Sequence, residues 1–134
     1  SFEELKKLWK CNDQIAELNV RRLQDMDLHS CLTPAVLAYE GIQYQYMAPS
    51  VFMDQEYAYI QEHLRILSGF YGILRPFDGV TPYRLEMQAK LKMGECKDLY
   101  AYWGERLAKA LFAETDCILN LASKEWCLCV QQSS

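Results

Sequence analysis

Residues 54–76 read DQEYAYIQEHLRILSGFYGILRP, and this stretch decides between an all-helical chain and a mixed one. Its first part carries apolar residues at helical spacing, Tyr57, Ile60, Leu64 and Leu67. They come after Asp54, a residue type that caps helix N-termini by accepting a backbone N–H. The spacing predicts a helix that runs until Gly69 and Gly72 stop it. The chain beyond them is irregular by composition. Pro76, Gly79 and Pro82 interrupt any periodicity as far as Met93, with room for one short strand at 84–87.

The pattern continues on both sides. Phe2, Leu5, Leu8 and Trp9, then Ile15, Leu18, Leu23 and Met26, predict two helices separated near Asn12 and Asp13. The run VLAY at 36–39, ended by Glu40 and Gly41, reads as a buried strand. Asp98 caps a predicted helix with Leu99, Trp103, Leu107 and Leu111 on one face. CILNL at 117–121 has the length of an interior strand, and Ser123 caps a last helix through Trp126. The expected fold is mixed α+β: a single domain over residues 1–134, with several amphipathic helices around a small mixed sheet.

Composition supports a core. The 134 residues are 51% hydrophobic and 13% aromatic, which suits one compact domain. Six cysteines, Cys11, Cys31, Cys96, Cys117, Cys127 and Cys129, include no C-x-x-C pair. Reduced, mostly buried thiols are therefore expected, with no zinc cluster and no disulfide framework. No run approaches the roughly 20 apolar residues of a membrane-spanning helix, so a cytoplasmic protein with no membrane partner is expected.

The formal charge of −4 argues against binding of polyanions by the whole surface. Its distribution tells more. Residues 1–62 carry five Lys/Arg against ten Asp/Glu, whereas 63–97 carry six (Arg65, Arg75, Arg84, Lys90, Lys92, Lys97) against three (Asp78, Glu86, Glu95). Tyr71, Phe77 and Tyr83 interleave with these cations, the mixture expected where phosphates are held and rings are stacked.

The segment 63–76, HLRILSGFYGILRP, is similar to the H-L-R-x-L-S-G-L-Y-G-x-L-R-P signature of the YaaA family of peroxide-stress proteins. Three further stretches resemble that family's motifs in its order and spacing. They are PYRLEM at 82–87, KDLY at 97–100 with Trp103 and Gly104, and NLAS at 120–123 with Glu125. The likeness extends from about Leu8 to Val130. Departures include Gln88 in place of the family's usual Gly, Trp126 in place of Tyr, and a loose match at 40–44. The family is about twice this length, with an I-S-P-A-K-T segment near its start and a basic end, so the chain is expected to be incomplete at both ends relative to it. The resemblance implies a role in surviving hydrogen peroxide by limiting free iron and oxidative DNA damage, together with DNA binding.

Several residues carry candidate chemistry. In 68–76, Ser68, Gly69, Tyr71 and Gly72 either present backbone amides to a phosphate beside Arg75 or form a plain turn. This segment is expected at the mouth of a concave basic surface, outside the core. On a strand, Arg84 and Glu86 share a face, as a salt bridge or as an anion clamp with its orienting carboxylate. Adding Arg65, Tyr83 and Lys97 completes the candidate set for nucleic acid or another anion. His63 has no second histidine at ligand spacing, and no Glu-x-x-His pair supports a di-iron site. Cys127 and Cys129, with Lys124 near, are the one close thiol pair.

Two functions fit these residues. The first is a non-enzymatic protein that binds DNA or another polyanion through a local basic cleft, with no cofactor and no metal. The alternative is an enzyme acting on a small phosphorylated or carboxylated metabolite, with Arg84 as clamp and Tyr71, Tyr83 or Glu86 as acid or base.

Overall fold

The structure, a computed structural model, describes residues 1–9, 11–83, 85–89, 91–124 and 126. The helices are α1 (Phe2–Trp9), α2 (Asp13–Gln24), α3 (Ala35–Ala38), α4 (Ile42–Met47), α5 (Asp54–His63), α6 (Leu99–Trp103) and α7 (Arg106–Glu114), with a 3-10 turn at Pro49–Val51. The strands are β1 (Thr33–Pro34), β2 (Ile66–Ser68), β3 (Gly72–Leu74) and β4 (Gly79–Val80). The fold is mixed α+β. Strand β1 pairs with β4 and β2 with β3, as two separate two-stranded sheets. The chain divides into two compact units: Ser1–Glu17 with Leu67–Gly72 and Arg84–Ser134, and Leu18–Ile66 with Ile73–Tyr83.

In the first unit the predicted break between helices falls at Asn12, whose Oδ1 accepts from the Ile15 N–H at 2.9 Å and starts α2. Lys6 pairs with Asp13 across that break. Trp9 and Ala16 are buried, as are Met87, Ala89, Leu99, Leu107, Ala108 and Leu111. Asp98 caps α6 as expected: its Oδ1 accepts from the Ala101 N–H at 2.8 Å. The predicted single helix is two, however. Gly104 takes φ +47, a left-handed value that a helix interior excludes, and α7 begins at Arg106. The run 117–121 is not a strand. Its neighbouring amides go to side chains, Cys117 N–H to Thr115 Oγ1 at 3.3 Å and Ala122 N–H to Asn120 Oδ1 at 3.0 Å. Such local bonds compete with a ladder, and Leu119 is left 81% exposed. Nor do Leu85 and Glu86 form a strand. Arg84, Cys127 and Cys129 lie outside the described residues.

The second unit holds buried Ala35, Val36, Ile60, Ile66, Leu74 and Val80. Helix α5 starts where expected, but Met53 is its cap and Asp54 its first residue. The Glu56 carboxylate reaches back to the Met53 N–H at 2.8 Å. It stops at His63, earlier than the stripe suggests. The Arg65 guanidinium binds the carbonyls of Glu62 (3.0 Å) and Leu64 (2.9 Å), so the chain leaves the helix and enters β2. Residues 36–39 are not a strand: 36–38 belong to the single turn α3, and Tyr39 is its C-cap. The carbonyls of Asp78 and Pro76 accept from the Ala35 and Val36 amides at 2.9 and 3.0 Å, which leaves those amides satisfied without a sheet neighbour. A four-residue apolar run carries too little periodicity to separate these outcomes.

Tyr39 and Tyr44 stack with ring centroids 6.2 Å apart. Burial, with a smaller contribution from Tyr39, pushes the Tyr44 phenol up to about 12. A folded-state value above the ordinary 10.0 means that the folded protein holds this proton more tightly than the unfolded chain. The resulting stability is complete below pH 10 and is lost as pH rises towards 12. Denaturant midpoints measured through that window are expected to fall less steeply for Tyr44→Phe than for the wild type. Equal slopes would show that Tyr44 ionises as an ordinary tyrosine.

Candidate anion-binding site

The signature SGFYG at 68–72 forms the tip of the β2–β3 hairpin. Ser68 is buried, and its Oγ accepts from the Phe70 N–H at 3.3 Å and the Tyr71 N–H at 3.2 Å. The Gly69 carbonyl accepts from Trp103 Nε1 at 3.0 Å. A Cβ on Gly69 would lie 2.7 Å from the Leu85 carbonyl oxygen. Gly72 has φ +84, and a Cβ there would lie 2.8 Å from the Trp103 ring. The glycines are therefore required by close approach to Leu85 and Trp103.

The structure thus brings Ser68, Gly69, Tyr71 and Gly72 together around Trp103. Two of the backbone amides that a phosphate cradle would use, those of Phe70 and Tyr71, are already bonded to Ser68. Nor does the segment sit outside the core as expected: Ser68, Gly69, Gly72, Leu74 and Pro76 are all buried. Small residues avoid the burial cost anticipated for this stretch, because the polar atoms of Ser68 and Gly69 find partners. Arg75 remains exposed, and its backbone N–H donates to Asp78 Oδ2 at 2.7 Å. Arg65 is the half-buried bracket at the end of α5, and Tyr83 is half-buried. His63 is exposed, 3.8 Å from Glu62 Oε2, with its ring tilted against that of Tyr59 at a centroid distance of 4.4 Å. Among the described residues no group of three His, Cys, Asp or Glu side chains is placed to hold a metal. Cys11, Cys31, Cys96 and Cys117 are free thiols.

Lys97 lies elsewhere in the first unit, on a cleft of about 490 Å³ lined by Met87, Gln88, Ala89, Lys92, Lys97, Asp98 and Tyr100. Its shape comes from a tight turn. Met93 and Cys96 exchange both backbone hydrogen bonds, at 3.1 and 3.0 Å, around Gly94 at φ +60. Of these lining residues, sequence reasoning chose only Lys97. Lys92 was visible as a cation of the basic segment, but its place on the same cleft as Lys97 depends on the fold.

The pattern of the peroxide stress protein YaaA family matches residues 1–134. The chain belongs to that family. Among curated relatives, a UPF0246 protein of Agathobacter rectalis is 61% identical over 132 residues, covering 98% of this chain and 53% of the relative. One from Lachnoclostridium phytofermentans is 59% identical, covering 98% and 52%. One from Desulfitobacterium hafniense is 62% identical over 125 residues, covering 93% and 50%. The chain spans about half the length of the curated relatives it matches. Among the described residues, no helix is long and apolar enough to cross a membrane.

Proposed function

We propose that this YaaA-family chain serves the cytoplasmic response to peroxide by binding DNA or another polyanion through its basic segment, so that oxidative DNA damage from free iron is limited. The family's description as a peroxide stress protein supports the stress role. One observation carries the binding. In a chain of net charge −4, residues 63–97 hold six cations against three carboxylates, and Arg75, Lys92 and Lys97 stand exposed within it. Attraction for phosphates therefore concentrates there.

The test is duplex-DNA binding as a function of salt. Arg75→Ala with Arg84→Ala is expected to reduce the magnitude of the logarithmic salt slope by about 0.9 for each phosphate no longer neutralised, with little dependence on base sequence. The thermal midpoint is expected to stay unchanged. Wild-type affinity and slope in the double variant would remove these arginines from the site. Unfolding of that variant would instead make them structural.

A further inference from the structure

The run CILNL at 117–121 has the length and apolar content of a strand and leads into the family stretch NLAS, yet it lies in no sheet. Its backbone is open to pairing. Thr115, which ends α7, is already extended at φ −160 and ψ 149. The Cys117 N–H and carbonyl are engaged locally by Thr115 Oγ1, at 3.3 and 3.2 Å. Among the described residues, however, the backbone groups of Ile118, Leu119 and Leu121 make no hydrogen bond.

Its side chains are open as well. On extended backbone Cys117, Leu119 and Leu121 fall on one face, because successive side chains alternate. All three are exposed, Leu119 at 81% and Leu121 at 71%. Unpaired backbone groups beside an uncovered apolar face are what strand addition uses: the main chain supplies the hydrogen bonds and alternate side chains fill the partner's pockets.

The kind of partner follows from what the run lacks and from what the chain cannot offer it. It holds no cation and follows Asp116, so a phosphate backbone is excluded. A second copy presents no edge of matching length among the described residues, since β1 and β4 have two residues each and β2 and β3 three. The curated relatives, by contrast, carry about as much polypeptide again outside the span they share with this chain.

We propose that 117–121 is a docking strand, which adds to the edge of a sheet in the part of the family polypeptide outside the matched span. Apolar side chains of that part then cover Cys117, Leu119 and Leu121. The proposal uses none of the cations of 63–97, so it stands or falls apart from the DNA reading.

Amide hydrogen exchange and alkylation of Cys117 test it, in this chain alone and in a hybrid where it replaces the matching 132 residues of the Agathobacter rectalis relative. In the chain alone the Ile118, Leu119 and Leu121 amides are expected to exchange within about tenfold of an unstructured peptide, at rates independent of protein concentration. In the hybrid they are expected to exchange at least about a hundredfold more slowly, with Cys117 shielded from alkylation. Equal rates in the two proteins overturn the proposal. Protection in the chain alone that grows with protein concentration overturns the choice of partner, because a second copy then supplies the edge. Leu119→Lys distinguishes docking from a general tightening of the chain. It should leave the thermal midpoint of the chain alone unmoved, and in the hybrid it should remove the protection and lower the midpoint by roughly 5 °C or more. An unchanged hybrid variant would show that Leu119 is not covered, which also overturns the proposal. If the hybrid does not fold, the whole Agathobacter rectalis protein is compared with its own matched 132 residues, and the same outcomes decide.

Discussion

Replacing Gly72 by alanine is expected to destabilise the chain by about 2–4 kcal/mol, lowering the thermal midpoint by roughly 10 °C. Two costs add. At φ +84 any residue with a Cβ is strained by about 1–2 kcal/mol. The new methyl group would also lie 2.8 and 3.0 Å from two carbons of the Trp103 ring, which is a rigid plane and cannot yield as a flexible chain end does. Overpacking of that kind costs about 1–3 kcal/mol. The lower entropy of the unfolded alanine chain returns only about 0.4–1 kcal/mol. Gly94 provides the internal control. Its φ is +60 but nothing lies within 4 Å of the position a Cβ would take, so Gly94→Ala should cost about 1 kcal/mol from backbone strain alone. Equal losses at the two positions would show that packing against Trp103 contributes nothing.

That contrast explains what was legible in the sequence. Helix starts were readable wherever a side chain does the capping. Asn12 and Asp98 satisfy an orphan N–H three residues on, and the requirement is local. Helix ends were not readable at Leu64, because the stripe Tyr57, Ile60, Leu64 continues past the point where Arg65 takes over the carbonyls. The runs 36–39 and 117–121 failed for a related reason. A short apolar segment becomes a strand only if an edge is available, and here the backbone amides go to the Pro76 and Asp78 carbonyls or to local side chains.

The candidate site divides along the same line. A cluster of cations is a property of composition and was visible as such. Its geometry depends on long-range partners. Ser68, Gly69 and Gly72 read as a possible phosphate cradle only while Trp103, 34 residues beyond Gly69, is left out. Lys92 and Lys97 come to line one cleft only in the folded chain, around the 93–96 turn. The family signature therefore mixes two kinds of residue: those that let the hairpin tip pack on an indole, and exposed cations such as Arg75.

Trp103 is the other half of that packing, and Trp103→Ala is expected to cost about 3 kcal/mol, at the lower end for a tryptophan because the ring is only half-buried. The loss has two parts: the packing of the ring on the hairpin tip, and the Nε1 bond to the Gly69 carbonyl at 3.0 Å. Trp103→Phe keeps an aromatic ring but removes both the donor and the outer indole carbons that lie nearest Gly72, so it should cost about 1–3 kcal/mol for the carbonyl left without its partner, together with part of the ring packing. The decisive measurement is the coupling. If the Gly72 penalty comes from the ring, Gly72→Ala in the Trp103→Ala background should retain only its φ strain of about 1–2 kcal/mol. The two changes together would then cost less than their sum by about 1–3 kcal/mol. Denaturant unfolding of the two single variants and the double variant, with slopes compared to confirm a common transition, gives that number directly. If the double variant is too unstable to fold, the same cycle with Trp103→Phe replaces it; the shorter ring lacks the carbons nearest Gly72, so there too the costs should fall short of their sum. Strict additivity with Trp103→Ala would mean that the glycine is required for its backbone angle alone and that the indole packs beside it without constraint.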